Sequence, residues 1–122
     1  MKSKLLIVDD EKNIRLLYKR EFEFEGYEIE LAENGMECLR KIESFKPDLV
    51  ILDIRMPGID GLETLNQILG KNNVLPVIIN SAYSSYKDNF MSWSADAYVV
   101  KSSDLTELKS KVKELLAESR GK

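Results

Sequence analysis

Five short apolar runs, rich in β-branched residues, punctuate the chain: KLLIV at 4–8, YEIEL at 27–31, DLVIL at 48–52, PVIIN at 76–80 and AYVV at 97–100. Between and after them, apolar residues recur three and four positions apart, the spacing of a helix with one buried face. Ile14, Leu17, Tyr18 and Phe22 form the first such face, ahead of Gly26. Leu39, Ile42 and Phe45 form the second, before Pro47, and Leu62, Leu65, Ile68 and Leu69 the third, before Gly70. Leu105, Leu108, Val112, Leu115 and Leu116 make the clearest one, with Asp104 and Glu107 spaced as a capping box at its start. The segment SSYKDNFMSWS, 84–94, places Tyr86, Phe90 and Trp93 on a helical face but is rich in residues of poor helix propensity, so a short, loosely held helix is expected there.

Strands alternating with helices predict βαβ units, right-handed crossovers and a parallel sheet covered on both faces. YEIEL alternates apolar and polar residues and suits an edge; the first, third and fourth runs are nearly continuous in apolar residues and suit the middle. No internal repeat, low-complexity tract or linker interrupts the pattern, so residues 1–122 read as one domain. With nothing beyond the last helix, an output domain is expected to be absent.

Composition narrows the chemistry. Eighteen Lys and Arg against 21 Asp and Glu give a net charge of -3, which argues against direct nucleic-acid binding. The single cysteine, Cys38, excludes an internal disulfide, and the absence of histidine disfavours a zinc site or a His-based triad. No apolar run approaches the roughly 20 residues of a membrane span. The charged N-terminus runs straight into a strand-like segment without a secretory signal, so the expected location is the cytoplasm.

In an open parallel sheet, ligands bind beyond the carboxyl ends of the strands. Asp9 and Asp10 follow the first run, Asp53 the third, Ser81 the fourth and Lys101 the fifth. Singly, each has an ordinary explanation: Asp9 or Asp10 as the N-cap of the next helix, Asp53 as the start of a turn, Ser81 in a local hydrogen bond, Lys101 in water. Together, three carboxylates on one edge repel one another and call for a compensating cation. Oxygen-only ligands suit a hard ion, and Mg²⁺ commonly serves phosphate chemistry. A carboxylate can act as a nucleophile towards phosphorus, with a metal, a lysine and a hydroxyl stabilising the phosphoryl oxygens. Asp53, alone at the end of a central strand, is the best nucleophile candidate.

The fragments LLIVDDE, PDLVILDIRMPGIDGLE, VIINSAY and DAYVVKSSDLTEL, in this order over essentially the whole chain, resemble the receiver domain of bacterial two-component response regulators. The resemblance implies a flavodoxin-like, doubly wound fold: a five-stranded parallel sheet of order 2-1-3-4-5 with five helices. It implies that Asp53 accepts a phosphoryl group from a sensor histidine kinase or phosphotransfer protein. It makes Asp10 and Asp53 direct Mg²⁺ ligands, Asp9 a ligand through water, and the backbone carbonyl of Arg55 a further ligand. Lys101 would pair with the phosphoryl group, Ser81 would be the switch hydroxyl and Tyr98 the aromatic that turns inward with it. Downstream partners would read the 84–118 surface. The resemblance also places the Arg55 and Tyr83 side chains over the phosphoryl group, where their bulk is expected to slow its loss, a reading tested by the decay of the labelled phosphoprotein. A monomer is expected, with dimerisation on phosphorylation left open.

Two departures stand out. Ser102 follows the lysine where the family usually has a proline after a cis bond; a cis bond before a non-proline residue costs about 2.5–4 kcal/mol, which favours a trans bond and puts the reach of Lys101 in question. Ser94 stands where the family prefers glycine. Two further readings remain: a receiver fragment of a longer regulator, and a Mg²⁺-dependent phosphatase with an aspartyl nucleophile. The phosphatases usually need a second Asp two residues after the nucleophile, and Arg55 stands there. A degenerate receiver serving only as a binding module would lack the acidic residues or the lysine, and this chain has them all.

Overall fold

The apolar runs become β1 (Lys4–Val8), β2 (Glu28–Ala32), β3 (Leu49–Leu52), β4 (Val77–Ser81) and β5 (Ala97–Val100) in a computed structural model that describes residues 2–54, 59–71, 74–82 and 95–120. All pairings are parallel and the order is β2-β1-β3-β4-β5, as the resemblance implied. The four helices among the described residues are α1 (Lys12–Phe24), α2 (Gly35–Phe45), α3 (Ile59–Lys71) and α4 (Thr106–Arg120). The helix expected over 84–94 lies outside those residues. None of the described helices is long and apolar enough to cross a membrane.

The two-residue period of the strands divides the core. Leu5, Ile7, Leu49, Ile51, Ile78 and Val99 face α1 and α4, meeting Tyr18, Phe22, Leu108 and Val112. Leu6, Val8, Val50, Leu52, Val77 and Ile79 face α2 and α3, meeting Cys38, Leu65 and Ile68. Both faces being covered, β3 and β4 are buried throughout, whereas β2 keeps an exposed and two half-buried residues, as an edge strand should. Cys38 is a packing residue here: burial pushes its thiol up to about 12, so it stays protonated and unreactive near neutrality.

The helix ends differ in detail from the sequence reading. Helix α1 stops as expected, at Gly26, whose φ of 99° suits glycine. The N–H of Gly26 donates to Glu23 O and that of Tyr27 to Phe22 O, and the rings of Phe22 and Tyr27 pack with centroids 6.1 Å apart, which together form a Schellman closure. Gly70 does not stop α3, which runs on to Lys71; a Cβ there would meet nothing, so glycine only weakens the turn. Neither Asp9 nor Asp10 is the N-cap of α1. That position is Glu11, whose side chain makes no capping bond. Asp104 does act at the start of α4: its carboxylate accepts the Thr106 N–H at 2.9 Å and the Thr106 hydroxyl at 2.6 Å.

Helix α2 is set tightly against α3. A Cβ on Gly35 would overlap the hydroxyl of buried Thr64 and come within 3.4 Å of its Cβ. Gly35→Ala is therefore expected to destabilise the protein by about 1–3 kcal/mol, lowering the urea midpoint at unchanged slope. An unshifted midpoint would mean that the two helices part without cost.

Candidate functional site

The site is built on backbone before any side chain acts. Asp9 N–H donates to Ala32 O at 3.0 Å, Asp53 N–H to Val8 O at 3.0 Å and Lys101 N–H to Ser81 O at 2.7 Å. Each residue stands just past its strand, and its acceptor is the last residue of the neighbouring strand. The ladder thus runs one rung further at three places and fixes three Cα positions on one edge.

Side chains then converge. Lys101 Nζ lies 2.7 Å from Asp9 Oδ2 and 3.2 Å from Asp53 Oδ2, and the side chains of Asp9, Asp53 and Lys101 are 2%, 5% and 14% exposed. This reach is made with Ser102, not proline, after the lysine. Asp10 is exposed, yet Asp9, Asp10 and Asp53 each offer an oxygen within 4.8 Å of the others. Asp9 Oδ1 also accepts the Glu11 N–H at 2.9 Å, so this carboxylate holds the loop into α1 although it does not cap the helix. Ser81, which the sequence placed just after its strand, is the last residue of β4 and fully buried. Tyr98 is buried among the apolar residues on the α2 and α3 side of the sheet. Arg55, Tyr83 and residues 84–94 lie outside the described residues.

One ammonium shared by two buried carboxylates does not balance them. Burial pushes Asp53 up to about 6; Lys101 pulls it back, and the charges of Asp9 and Asp10 push it further up. Burial pulls Lys101 down, but its hydrogen bond to Asp9 and the charges of Asp53 and Asp9 outweigh this and leave it above its ordinary value. Three carboxylates against one ammonium leave two negative charges, which a divalent cation would match. All the donors are oxygens, as a hard ion requires. Two oxygens on opposite sides of one Mg²⁺, at about 2.1 Å each, stand about 4.2 Å apart, so a spread of up to 4.8 Å needs only a small approach or one bridging water. The residues present fit such an ion.

Two supporting residues were not legible as part of the site. Arg15, one turn into α1, donates from Nη1 to Asp9 O at 2.8 Å and reaches Glu33 at 3.8 Å, tying the acidic loop to the end of β2. Asn80 looked like the polar end of a strand. Its amide is buried, accepting the Tyr18 hydroxyl at 2.7 Å and donating to Val99 O at 3.0 Å. A polar residue closing an otherwise apolar central run was the signal available. Burial pushes the Tyr18 phenol up to about 12, so it remains a hydrogen donor at neutral pH; Lys101 lowers it, and Asp9 and Asp53 raise it.

Residues 5–113 match the family model of the response regulator receiver domain. The chain belongs to that family. The receiver domain is 55% identical to the response regulator protein TrrA of Thermotoga maritima, whose structure in complex with Mg²⁺–BeF superposes with a TM-score of 0.86, covering 94% of this chain and 99% of that one. TrrA has also been crystallised with the histidine kinase ThkA; that copy shows 55% identity and a TM-score of 0.85 over 95% of this chain and 99% of its own. Among full-length relatives, response regulator MprA of Mycobacterium tuberculosis is 35% identical over 122 residues, 98% of this receiver domain but 53% of MprA. The chain thus spans about half the length of the curated relatives it matches.

Proposed function

We propose that the protein is a phosphorylation switch in which Asp53 accepts a phosphoryl group from a phosphohistidine on a sensor histidine kinase or phosphotransfer protein. The observation that carries this reading is the ion-paired trio of Asp9, Lys101 and Asp53 at the sheet edge, with Asp10 completing three oxygen donors. A carboxylate oxygen of Asp53 attacks phosphorus; the new O–P bond forms as the P–N bond breaks, and the imidazole keeps the electron pair. Asp10, Asp53 and, through water, Asp9 would hold a Mg²⁺ ion, with the Arg55 carbonyl as a further ligand, and the bound ion would supply positive charge to the phosphoryl oxygens. Lys101 already touches the Asp53 carboxylate and needs only a side-chain movement to pair with a phosphoryl oxygen there. Ser81 contributes its hydroxyl and Tyr98 follows it, shifting the populations of the 84–118 surface that downstream proteins read.

The Mg²⁺–BeF complex of TrrA and its complex with a histidine kinase support the metal and the partner. The protein takes part in its own phosphorylation and dephosphorylation and is not a turnover enzyme. Residues 1–122 form the receiver domain, and its place is the cytoplasm. The near-complete match to TrrA favours a stand-alone receiver or relay protein; the half-length match to MprA favours a second reading, the receiver part of a longer regulator. Incubation with acetyl phosphate and Mg²⁺ should add the mass of one phosphoryl group to the wild type and none to Asp53→Asn. No gain on the wild type, or equal gain on both, would overturn the assignment.

A further inference from the structure

Among the described strand residues that face α1 and α4, Asn80 of β4 is the one buried polar side chain. Asn80 is 2% exposed and Tyr18 likewise 2%, and both polar groups are used: phenol to amide oxygen, amide nitrogen to the Val99 carbonyl. Two apolar residues would fill this space without desolvating an amide and a phenol, so packing alone does not account for the pair. Its position is more telling. Asn80 and Val99 are register partners on β4 and β5. The residue after Asn80 is Ser81, and Lys101, two beyond Val99, donates its N–H to Ser81 O. Tyr18 stands on α1, the helix that follows Asp9 and Asp10 and whose Arg15 holds the Asp9 carbonyl.

We propose that Tyr18 and Asn80 are positioning residues for phosphoryl acceptance at Asp53: the buried pair ties the helix behind Asp9 to the ends of β4 and β5 and so fixes where Ser81 and Lys101 stand. The inference rests on the reading of Asp53 as the acceptor. Neither residue touches the reacting atoms. The β4–β5 ladder sets the strand ends relative to each other; the phenol adds the third point, which sets them relative to the acidic loop. A displacement of about 1 Å at such a site costs up to about 100-fold in rate, so a partial loosening should cost about tenfold.

Three variants separate this role from stability: Tyr18→Phe, Asn80→Leu and the two combined. Asn80→Leu alone leaves a buried phenol without its acceptor and should lower the urea midpoint. The double variant removes both polar groups and should regain it. If the pair positions the site, the folded double variant keeps a maximal phosphorylation rate by acetyl phosphate about tenfold below wild type at an unchanged half-saturating concentration, and the Ser81 and Lys101 amide resonances move. A double variant with the wild-type maximal rate, or rates that merely follow the folded fraction, would overturn the proposal. Should the wild type take up no phosphate, the acceptor reading fails and the resonances decide alone: unmoved Ser81 and Lys101 amides in the double variant would sink the positioning role of the buried pair as well.

Discussion

Lys101→Met should be the most damaging single change in the site, costing about 3–5 kcal/mol of stability near neutral pH without metal. The lysine is the partner of two carboxylates whose side chains are 2% and 5% exposed, and methionine keeps its bulk while removing its charge. Two buried anions then face each other uncompensated. As pH falls towards about 6 the loss should shrink, because Asp53, already raised to about 6 with Lys101 beside it, would rise further without it and take up a proton. Saturating Mg²⁺ should return much of the stability, since a divalent ion can replace one ammonium as a counter-charge. It should not return phosphoryl acceptance, where the lysine acts on the transferred group and its loss costs about 100-fold or more. Urea unfolding with and without Mg²⁺, beside the rate of phosphoryl uptake, reads both halves. A wild-type uptake rate in the folded variant would show that Lys101 serves only the resting charge balance.

Asp53→Asn should act in the opposite direction on stability: without metal near pH 7 the variant should be more stable than wild type by about 2–3 kcal/mol. The carboxyl rises from 3.8 to about 6 on folding, roughly two units at about 1.4 kcal/mol each. A carboxyl with a raised folded value binds more protons in the native than in the unfolded state between those two values. Wild-type stability therefore falls as pH rises through that window; the penalty is full above about 6 and absent below about 3.8. Acidifying from about pH 7 to about pH 5 should return about half of it to the wild type, and nothing comparable to the asparagine variant. Mg²⁺ at 100 times its dissociation constant adds about 2.7 kcal/mol to a protein that binds it, enough to close the gap. Urea midpoints for both proteins in chelator and in Mg²⁺ at the two pH values make the test; an asparagine variant less stable than wild type in chelator contradicts the buried-charge account.

Much of this was legible in the sequence because the signals are local. The five runs became the five strands within a residue at each end, and the edge character of β2 followed from its alternation. Strand order came from the resemblance, since apolar periodicity says which face is buried but not which strand lies beside which. Asp9, Asp10, Asp53 and Lys101 could be expected close together because the ends of parallel strands share one edge, and there they stand. Arg15 and Asn80 were not, since their contacts join residues far apart in the chain and a single sequence carries no trace of such a pair. That neither Asp9 nor Asp10 caps α1 has a similar cause: the Asp9 carboxylate is engaged by Lys101, 92 positions later, and only secondarily by the loop beside it.

The extra rung of the ladder at Asp9, Asp53 and Lys101 also bears on how such a protein can change over generations. The anchors are amide and carbonyl groups that every residue except proline possesses, so the places of these three side chains do not depend on their identity. Exchanging the charged trio together for neutral residues of similar size would remove the chemistry while leaving no stranded charge and no broken frame. A descendant of that kind would keep its shape and its contact surface yet ignore the signal, and duplicates of one gene could part into listeners and mute copies without refolding.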